Sequence, residues 1–163
     1  MGANEPEMRI RAMVEDDLDR VLAIGASLRE TPQWPRAAYM TAIAATAGRW
    51  RLALVAEVEG RIAGFAMGSL VVSQAELETI AVDRAFQRKG LGAALLEALI
   101  READLAGAEE ILLEVRASNR RARHLYERAG FVEIGLRRGY YLDPAEDAVL
   151  MRRPIKASGL SNV

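Results

Sequence analysis

The sequence predicts one α/β domain built on a mixed, mostly antiparallel sheet of about seven strands, with about four helices. Three observations lead to this prediction. Seven short segments alternate apolar and polar residues or form brief apolar runs, as strands do. Four other segments repeat their apolar residues every three to four positions, which is the helical period. At 163 residues, with no internal repeat and no linker-like tract, the chain suits a single core.

The first half of the chain predicts two helices between a first strand and a group of three strands. The elements are a strand over 8–14, helices over 16–28 and 35–47, and strands over 52–58, 61–72 and 75–82. Acidic residues in the first turn favour the first helix, and the prolines that bracket Trp34 interrupt the pattern as a stiff loop. Glu59-Gly60 is a hairpin signal between the second and third strands.

The second half predicts a long helix, a short strand, a further helix and two last strands. The elements are a helix over 91–106, a strand over 111–115, a helix from Ser118-Asn119 to 129, and strands over 131–137 and 148–152. Gly107 and Gly130 suit the ends of the two helices. Strands separated by a full helix should be parallel and hairpins antiparallel, so we expect a mixed sheet. The domain should cover residues 1–155, with a flexible tail over 156–163.

Composition excludes several classes of function. A formal net charge of −1 argues against a broad nucleic-acid surface. The chain has no cysteine, which rules out disulfides, thiolate zinc sites and cysteine nucleophiles, and one histidine, His124, so we expect no metal centre. Its apolar runs are too short to span a bilayer, and the polar N-terminus lacks the features of a signal peptide. We therefore expect a cytoplasmic protein with no membrane contact.

A glycine-containing turn between a strand and a helix, Gln87-Arg88-Lys89-Gly90-Leu91-Gly92-Ala93, carries the most functional information. Two glycines let the backbone turn tightly and approach a ligand closely. A helix that begins there directs unpaired N–H groups and the positive end of its dipole into the turn. With Arg84, Arg88 and Lys89 around it, the turn predicts an anion site; the alternative is a structural turn with a solvated basic rim.

The order of elements, this turn and three sequence blocks resemble the GCN5-related N-acetyltransferase (GNAT) superfamily. The blocks are residues 77–83 with the turn, residues 113–119 (Leu-Glu-Val-Arg-Ala-Ser-Asn), and residues 125–131 followed by 137–141 (Arg-Arg-Gly-Tyr-Tyr). The last two blocks narrow the resemblance to the RimI-type N-alpha-acetyltransferases, which acetylate the N-terminal alanine of a small-subunit ribosomal protein. That pattern commonly has asparagine where this chain has Gly139.

The resemblance implies a GNAT-like domain whose cosubstrate is acetyl-CoA. The main-chain N–H groups of the turn would bind its diphosphate, while strand residues would pair with its pantetheine arm and a main-chain N–H near Val82 would polarise the thioester carbonyl. Asn119 would hydrogen-bond the cosubstrate as well as cap its helix. The implied cofactor-binding residues are Ile80, Ala81, Val82, Arg88, Lys89, Gly90, Leu91, Gly92, Ala93 and Asn119.

Glu114 is a carboxylate inside an otherwise apolar strand. Burial without a partner would be costly, so this residue should be paired, open to solvent or functional. Arg116, two positions on along the same face, is an available partner for a structural ion pair. The resemblance implies that Glu114 is the general base, acting through a water. Glu76 and Glu78 on the preceding strand are rival bases, and we favour Glu114.

Tyr126 lies on the apolar face of its helix, where packing with a satisfied hydroxyl is one interpretation. The resemblance implies that it protonates the departing thiolate. Because free tyrosine has a pKa near 10 and a thiol about 8.5, this transfer is unfavourable by roughly 2 kcal/mol for isolated groups. We therefore favour a hydrogen bond that strengthens as charge develops. His124 should face solvent and receives no role.

The predicted acceptor side consists of Trp34, Arg138, Tyr140 and Tyr141, with Arg137 beside them. Asp143, Glu146 and Asp147 could attract a basic peptide or simply be exposed turn residues. At pH 7 about a tenth of α-amines are neutral, against well under one in a hundred lysines, so one modest base suits an N-terminal amine. We expect direct transfer to the N-terminal peptide of a ribosomal protein, by a monomer or weak dimer; a lysine or small-amine acetyltransferase and an inactive CoA-binding module are the alternatives.

Overall fold

The fold is a seven-stranded sheet with helices on both faces, as a computed structural model shows for residues 5–44 and 50–155. The strands are β1 (Met8–Ala12), β2 (Trp50–Val58), β3 (Arg61–Val71), β4 (Gln74–Val82), β5 (Glu110–Arg116), β6 (Val132–Leu142) and β7 (Ala145–Pro154). The helices are α1 (Leu18–Ser27), α2 (Arg36–Ile43), α3 (Leu91–Leu105) and α4 (Arg120–Arg128). The predicted end of the second helix and the predicted tail lie outside the described residues.

The strand order is β1-β2-β3-β4-β5-β7-β6, and β4–β5 is the parallel pair in an otherwise antiparallel sheet. The prediction of a mixed, mostly antiparallel sheet is therefore confirmed. One part of the topology was wrong, because β1 and β2 are antiparallel although helices separate them. Two helices, rather than one, lie between β1 and β2, and β2 starts at the end of the sheet where β1 finishes. The two strands therefore run in opposite directions.

Each face of the sheet has its own apolar core. One core lies under α3 and α4, where α3 buries Leu91, Leu95, Leu96, Leu99 and Ala103 on a single face. Burying a leucine side chain completely contributes about 1.5–3 kcal/mol, so this face holds α3 firmly. The second core lies under α1 and α2 on the opposite face. Within the described ranges, no helix is both long enough and apolar enough to cross a bilayer.

The last two strands are longer than the sequence predicts. The hydrophobic alternation stops at Arg137, yet β6 continues to Leu142 and β7 begins at Ala145. A bulge explains the difference, because the pairs Arg137–Ala148 and Tyr141–Glu146 leave three residues of β6 opposite one residue of β7. The added length places three of the predicted acceptor-side residues, Arg138, Tyr140 and Tyr141, in a β-hairpin.

The parallel pair β4–β5 separates part-way along its length. Pairing covers Gln74–Glu110, Ala75–Ile111 and Glu76–Leu112 and then stops. Beyond this point β4 stays paired with β3 up to Val82, and β5 stays paired with β7 up to Arg116. The sheet is therefore split between two strands whose facing edges are both unpaired.

Candidate active site

A cleft of about 1750 Å³ opens where β4 and β5 separate. It brings together the cofactor-side and catalytic candidates that are far apart in sequence. The predicted residues that line it are Ile80, Ala81, Val82, Arg88, Gly90, Leu91, Gly92, Ala93, Glu114, Asn119, Tyr126 and Tyr141. Four predicted residues, Lys89, Trp34, Arg138 and Tyr140, are not part of this lining.

The glycine turn presents main-chain donors to one end of the cleft. Arg88 has a φ of 64° and Gly90 a φ of 81°, and α3 begins at the next residue. The first helical bond of α3 runs from the Ala94 N–H to the Gly90 carbonyl at 3.0 Å. In the described part of the chain, the N–H groups of residues 88–93 have no hydrogen-bond acceptor. Such a set of free donors at a helix N-terminus suits a diphosphate.

The side chains of Gln87 and Arg121 hold the start of this turn in place, and the sequence did not predict the contact of Arg121. Gln87 donates to the Val82 carbonyl at 3.0 Å, and its own side-chain oxygen accepts from Arg121 at 2.9 Å. Arg121 belongs to α4 and lines the cleft. The turn is thus tied to both β4 and α4. An exposed arginine on a helix face gives no sequence signal of such a contact.

Glu114 lies in the cleft, in contact with a different partner from the predicted one. Its Oε1 lies 3.3 Å from Arg137 Nη1, while Arg116 is paired with Glu146 at 3.4 Å. The expectation that Arg116 would pair with Glu114 was therefore wrong. Glu114 is paired with Leu150 and Arg137 with Ala148, so the two side chains flank β7 only two positions apart, whereas Arg116 lies at the end of β5 near the start of β7. The Glu114 side chain is 21% exposed.

Tyr140 lies close to the same carboxylate. A hydrogen bond to Glu114, followed by the negative charge of Glu114, raises the pKa of the Tyr140 hydroxyl. The Arg137 guanidinium also lies over the Tyr140 ring, 5.6 Å from its centroid. Arg137 and Tyr140 therefore both lie near Glu114, on the β6 side of the cleft.

The two rival carboxylates on β4 differ in their surroundings. Glu78 is the extra residue of a bulge opposite Met67 and Gly68, and it pairs with Arg51 at 3.0 Å. Glu76 is exposed on β4, and partial desolvation of its carboxylate, followed by the charges of Glu78 and Glu114, raises the pKa of Glu76. Glu76 therefore lies within electrostatic range of Glu114 without an ion pair in the described part of the chain. All three carboxylates lie near one another beside the cleft.

Tyr126 is buried on α4 with its ring against Phe131 at a centroid distance of 5.9 Å. Its residue exposure is 9%, and the residue lines the cleft. Burial raises the pKa of Tyr126 to about 12, with a further contribution from Tyr141. The phenol is therefore protonated at every pH at which the protein would be assayed.

Asn119 and His124 lie as the sequence predicts. Asn119 is the N-cap of α4, and its side-chain oxygen accepts the Ala122 N–H at 3.2 Å. The bond uses the oxygen, and the amide nitrogen of Asn119, a residue that lines the cleft, has no acceptor among the described residues. The His124 side chain is 75% exposed.

The predicted acceptor-side residues occupy two places around the cleft. Trp34 lines a smaller cavity of about 310 Å³ with Arg51 and Glu78, and its ring packs against Tyr39 at 5.7 Å. On the opposite side, Tyr140 and Tyr141 form an edge-to-face pair at 5.1 Å, and Arg138 is exposed beside them.

Gly139 has a φ of 62°, a left-handed conformation that glycine adopts freely and asparagine better than most residues. The conformation explains why glycine can replace the asparagine of the RimI pattern. The Gly139 N–H donates to the Asp147 side chain at 2.8 Å, so a side chain also holds the bulge in β6.

The sequence of this chain matches the acetyltransferase (GNAT) family model over residues 21–131. The chain belongs to this family, as the sequence predicts. Its members are acetyl-CoA-dependent N-acetyltransferases, and the split sheet and glycine turn described above are the parts of this chain that suit such a cosubstrate.

Similar proteins support the narrower resemblance. The [ribosomal protein bS18]-alanine N-acetyltransferase of Escherichia coli K12 is 50% identical over 98 residues, which are 59% of this chain and 66% of that enzyme. The alignment thus spans just under two thirds of the relative. The crystal structure of the E. coli ribosomal-protein-S18-alanine N-acetyltransferase superposes with a TM-score of 0.83 at 36% identity, covering 96% of this chain and 99% of that one. Ard1 from Thermoplasma volcanium superposes with a TM-score of 0.79 at 28% identity, over 91% and 98% of the two chains.

Proposed function

We propose that this protein is an N-alpha-acetyltransferase that transfers the acetyl group of acetyl-CoA to the N-terminal alanine of a small-subunit ribosomal protein. The observation that carries the proposal is the single cleft that joins the free amides of the glycine turn to Glu114 and Tyr126. The relatives named above as bS18-alanine N-acetyltransferases support the choice of substrate.

The residues of the cleft suit each part of acetyl-CoA, which supplies an acetyl thioester when bound. The N–H groups of residues 88–93 would hold the diphosphate, with Arg88 and Lys89 adding charge around it. The unpaired edge of β4 at residues 80–82 would hydrogen-bond the pantetheine amides as an added strand would. Asn119 would donate its free amide to the same ligand.

Glu114 would act as the general base. In the reaction the amine nitrogen bonds to the thioester carbonyl carbon, the carbon–sulfur bond breaks, and one amine proton must leave. Glu114 lies in the cleft, where Arg137 is paired with its carboxylate and Tyr140 lies close to it. It would accept that proton through a water, while a main-chain N–H near Val82 would stabilise negative charge on the carbonyl oxygen.

Tyr126 would complete the proton balance by donating to the departing thiolate. A pKa of about 12 makes the phenol a poor acid, since the transfer to a thiolate of pKa about 8.5 is unfavourable by roughly 5 kcal/mol. The role therefore fits a hydrogen bond that strengthens as negative charge grows on sulfur, with proton transfer completed late.

A panel of peptides tests the proposal. The protein is incubated with acetyl-CoA and a peptide that begins with the first residues of the ribosomal protein, starting with alanine. A second arm uses an N-terminally blocked peptide that contains lysine. We expect a mass gain of one acetyl group on the alanine peptide alone. Acetylation of the blocked peptide alone would overturn the proposal in favour of a lysine acetyltransferase, and CoA binding without transfer to either peptide would indicate an inactive module.

A further inference from the structure

Glu146, at the start of β7, connects the two walls of the cleft. One wall is the β6–β7 hairpin with the acceptor-side tyrosines, and the other is the turn between β5 and α4 that precedes Asn119. The Glu146 Oε1 accepts the Ser118 N–H at 2.6 Å, and its Oε2 lies 3.4 Å from Arg116 Nη1. The side chains of Arg116 and Glu146 are 21% and 19% exposed, so the contact between them is partly shielded from water, while the bond from Ser118 is exposed.

Arg116 extends this connection to the hairpin. Its guanidinium lies over the ring of Tyr141, 4.1 Å from the ring centroid, which is a close cation–π contact. Tyr141 in turn lines the cleft and contributes to the raised pKa of Tyr126. One arginine therefore holds both the carboxylate of Glu146 and a ring that faces the catalytic candidates.

Two hydrogen bonds to Asp147, the neighbour of Glu146, join nearby parts of the same two walls. The Ala117 N–H donates to the Asp147 carbonyl at 3.0 Å, and the Asp147 carboxylate accepts the Gly139 N–H at 2.8 Å. Both acidic residues thus bind neighbouring backbone as well as adding charge to the hairpin.

We propose that Glu146 is a positioning residue that sets the spacing between the two walls of the cleft, the β6–β7 hairpin and the turn between β5 and α4. Asn119 follows Ser118 directly and begins α4, so a shift of Ser118 moves both the cosubstrate contact and the phenol of Tyr126. A displacement of 1 Å between reacting groups can lower a rate by about 100-fold. The predicted effect on the rate rests on the proposed function. The contacts by which Glu146 joins the two walls do not depend on that function.

The test compares three variants with the wild-type protein. Glu146→Ala removes both contacts. Glu146→Gln keeps an oxygen that can accept the Ser118 N–H. Glu133→Ala is the matched control, since Glu133 also joins the β6–β7 hairpin to α4, through Arg123 at 3.4 Å, but neither residue lines the cleft. Amide hydrogen exchange over residues 117–119 and 139–142 is measured together with kcat, KM and the Kd of CoA.

We expect Glu146→Ala to speed exchange in both segments and to lower kcat about tenfold or more, with the Kd of CoA within about twofold. Glu146→Gln should retain most of the rate, and Glu133→Ala should change neither exchange nor kcat. Unchanged exchange in either segment of Glu146→Ala would overturn the connection. Equal losses of rate and thermal stability in the alanine and glutamine variants would overturn the positioning role.

The two proposals fail separately. If the wild-type protein acetylates only a lysine peptide, the proposed function is wrong, and the ratio of variant to wild-type rate on that peptide still decides the role of Glu146. If it acetylates neither peptide, the positioning role in catalysis falls with the function, and exchange alone decides whether Glu146 joins the two walls.

Discussion

At the scale of single residues, the proposed base can be distinguished from its rivals by substitution. We expect Glu114→Gln to lower kcat by about 100-fold or more, because a positioned base contributes 10²–10⁴-fold, while the Kd of CoA stays unchanged. Glu76→Gln and Glu78→Gln should lower kcat much less. Steady-state kinetics and calorimetric titration of CoA check this, and a larger loss in either β4 variant would reassign the base.

The second residue-scale prediction concerns Tyr126. The variant Tyr126→Phe keeps the ring packed on Phe131 and removes only the hydroxyl, so folding should persist while kcat falls by about tenfold or more. With a pKa of about 12, Tyr126 does not titrate below pH 10. The wild-type rate should therefore show no decline between pH 8 and 10 from loss of this proton. An alkaline limb in that range that disappears in Tyr126→Phe would contradict the raised pKa.

Glu76 makes a pH-dependent contribution to stability. Partial desolvation and the neighbouring carboxylates raise its pKa above 4.5 in the folded protein, so the folded state binds this proton more tightly than the unfolded state. Ionising Glu76 thus destabilises the fold as pH rises above 4.5, and the penalty is complete above the folded pKa. We expect Glu76→Gln to raise Tm at pH 7 and not at pH 4. Equal Tm shifts at both pH values, or a lower Tm at pH 7, would show that ionised Glu76 does not destabilise the folded protein.

The sequence identifies candidate residues better than it identifies their partners. Glu114 could be selected because a carboxylate in an apolar strand requires an explanation, and Asn119 because it precedes a helix. The ion pair of Glu114 with Arg137 could not be foreseen, since it depends on how β5 and β6 pair with β7, and Arg137 lies more than twenty positions later in the chain. Arg116 was the plausible local partner, but the register of β5 with β7 places it beside Glu146.

At the scale of elements, the glycine turn has a backbone conformation that disfavours other residues, and it also has a proposed binding role. Gly90 and Gly60 both have positive φ, 81° and 75°, and no atom lies within 4 Å of a Cβ added to either. Alanine at each position should therefore lower the free energy of unfolding by about 1–2 kcal/mol. Only Gly90→Ala should weaken CoA binding, because Gly60 lies in the β2–β3 hairpin, away from the cleft. Chemical denaturation and calorimetry separate the two effects; equal CoA affinities would remove the turn from the binding site.

Element boundaries followed from the sequence wherever the hydrophobic period was regular. The strand β3 and the helix α3 end within a residue of their predicted limits. The period fails where backbone geometry changes locally: the bulge around Gly139 interrupts the alternation of β6, so the strand was predicted five residues too short. A bulge is a relation between two strands, which one strand's pattern does not encode.

At the scale of the whole molecule, the split sheet is the feature that joins structure to the proposed function. The order β5-β7-β6 places the hairpin beside one edge of the split, and the α3 N-terminus lies at the other. The strand order depends on pairings between segments distant in the chain, and hydrophobic periodicity carries no information about them. The resemblance of short blocks to a known family supplied what periodicity could not.

A ligand that spans the split should stabilise the folded chain as a whole. Acetyl-CoA at about 100 times its Kd should add about 2.7 kcal/mol to the free energy of unfolding, which corresponds to a Tm increase of roughly 5–10 °C for a chain of this size. S-acetylpantetheine at the same concentration lacks the diphosphate that the amides of residues 88–93 would bind, together with the attached nucleoside, so we expect a shift below about 1 °C. Thermal denaturation measures both. Equal shifts would show that the free amides at the start of α3 contribute nothing to binding, since the two ligands share the acetylated arm and only acetyl-CoA carries the diphosphate that those amides would hold.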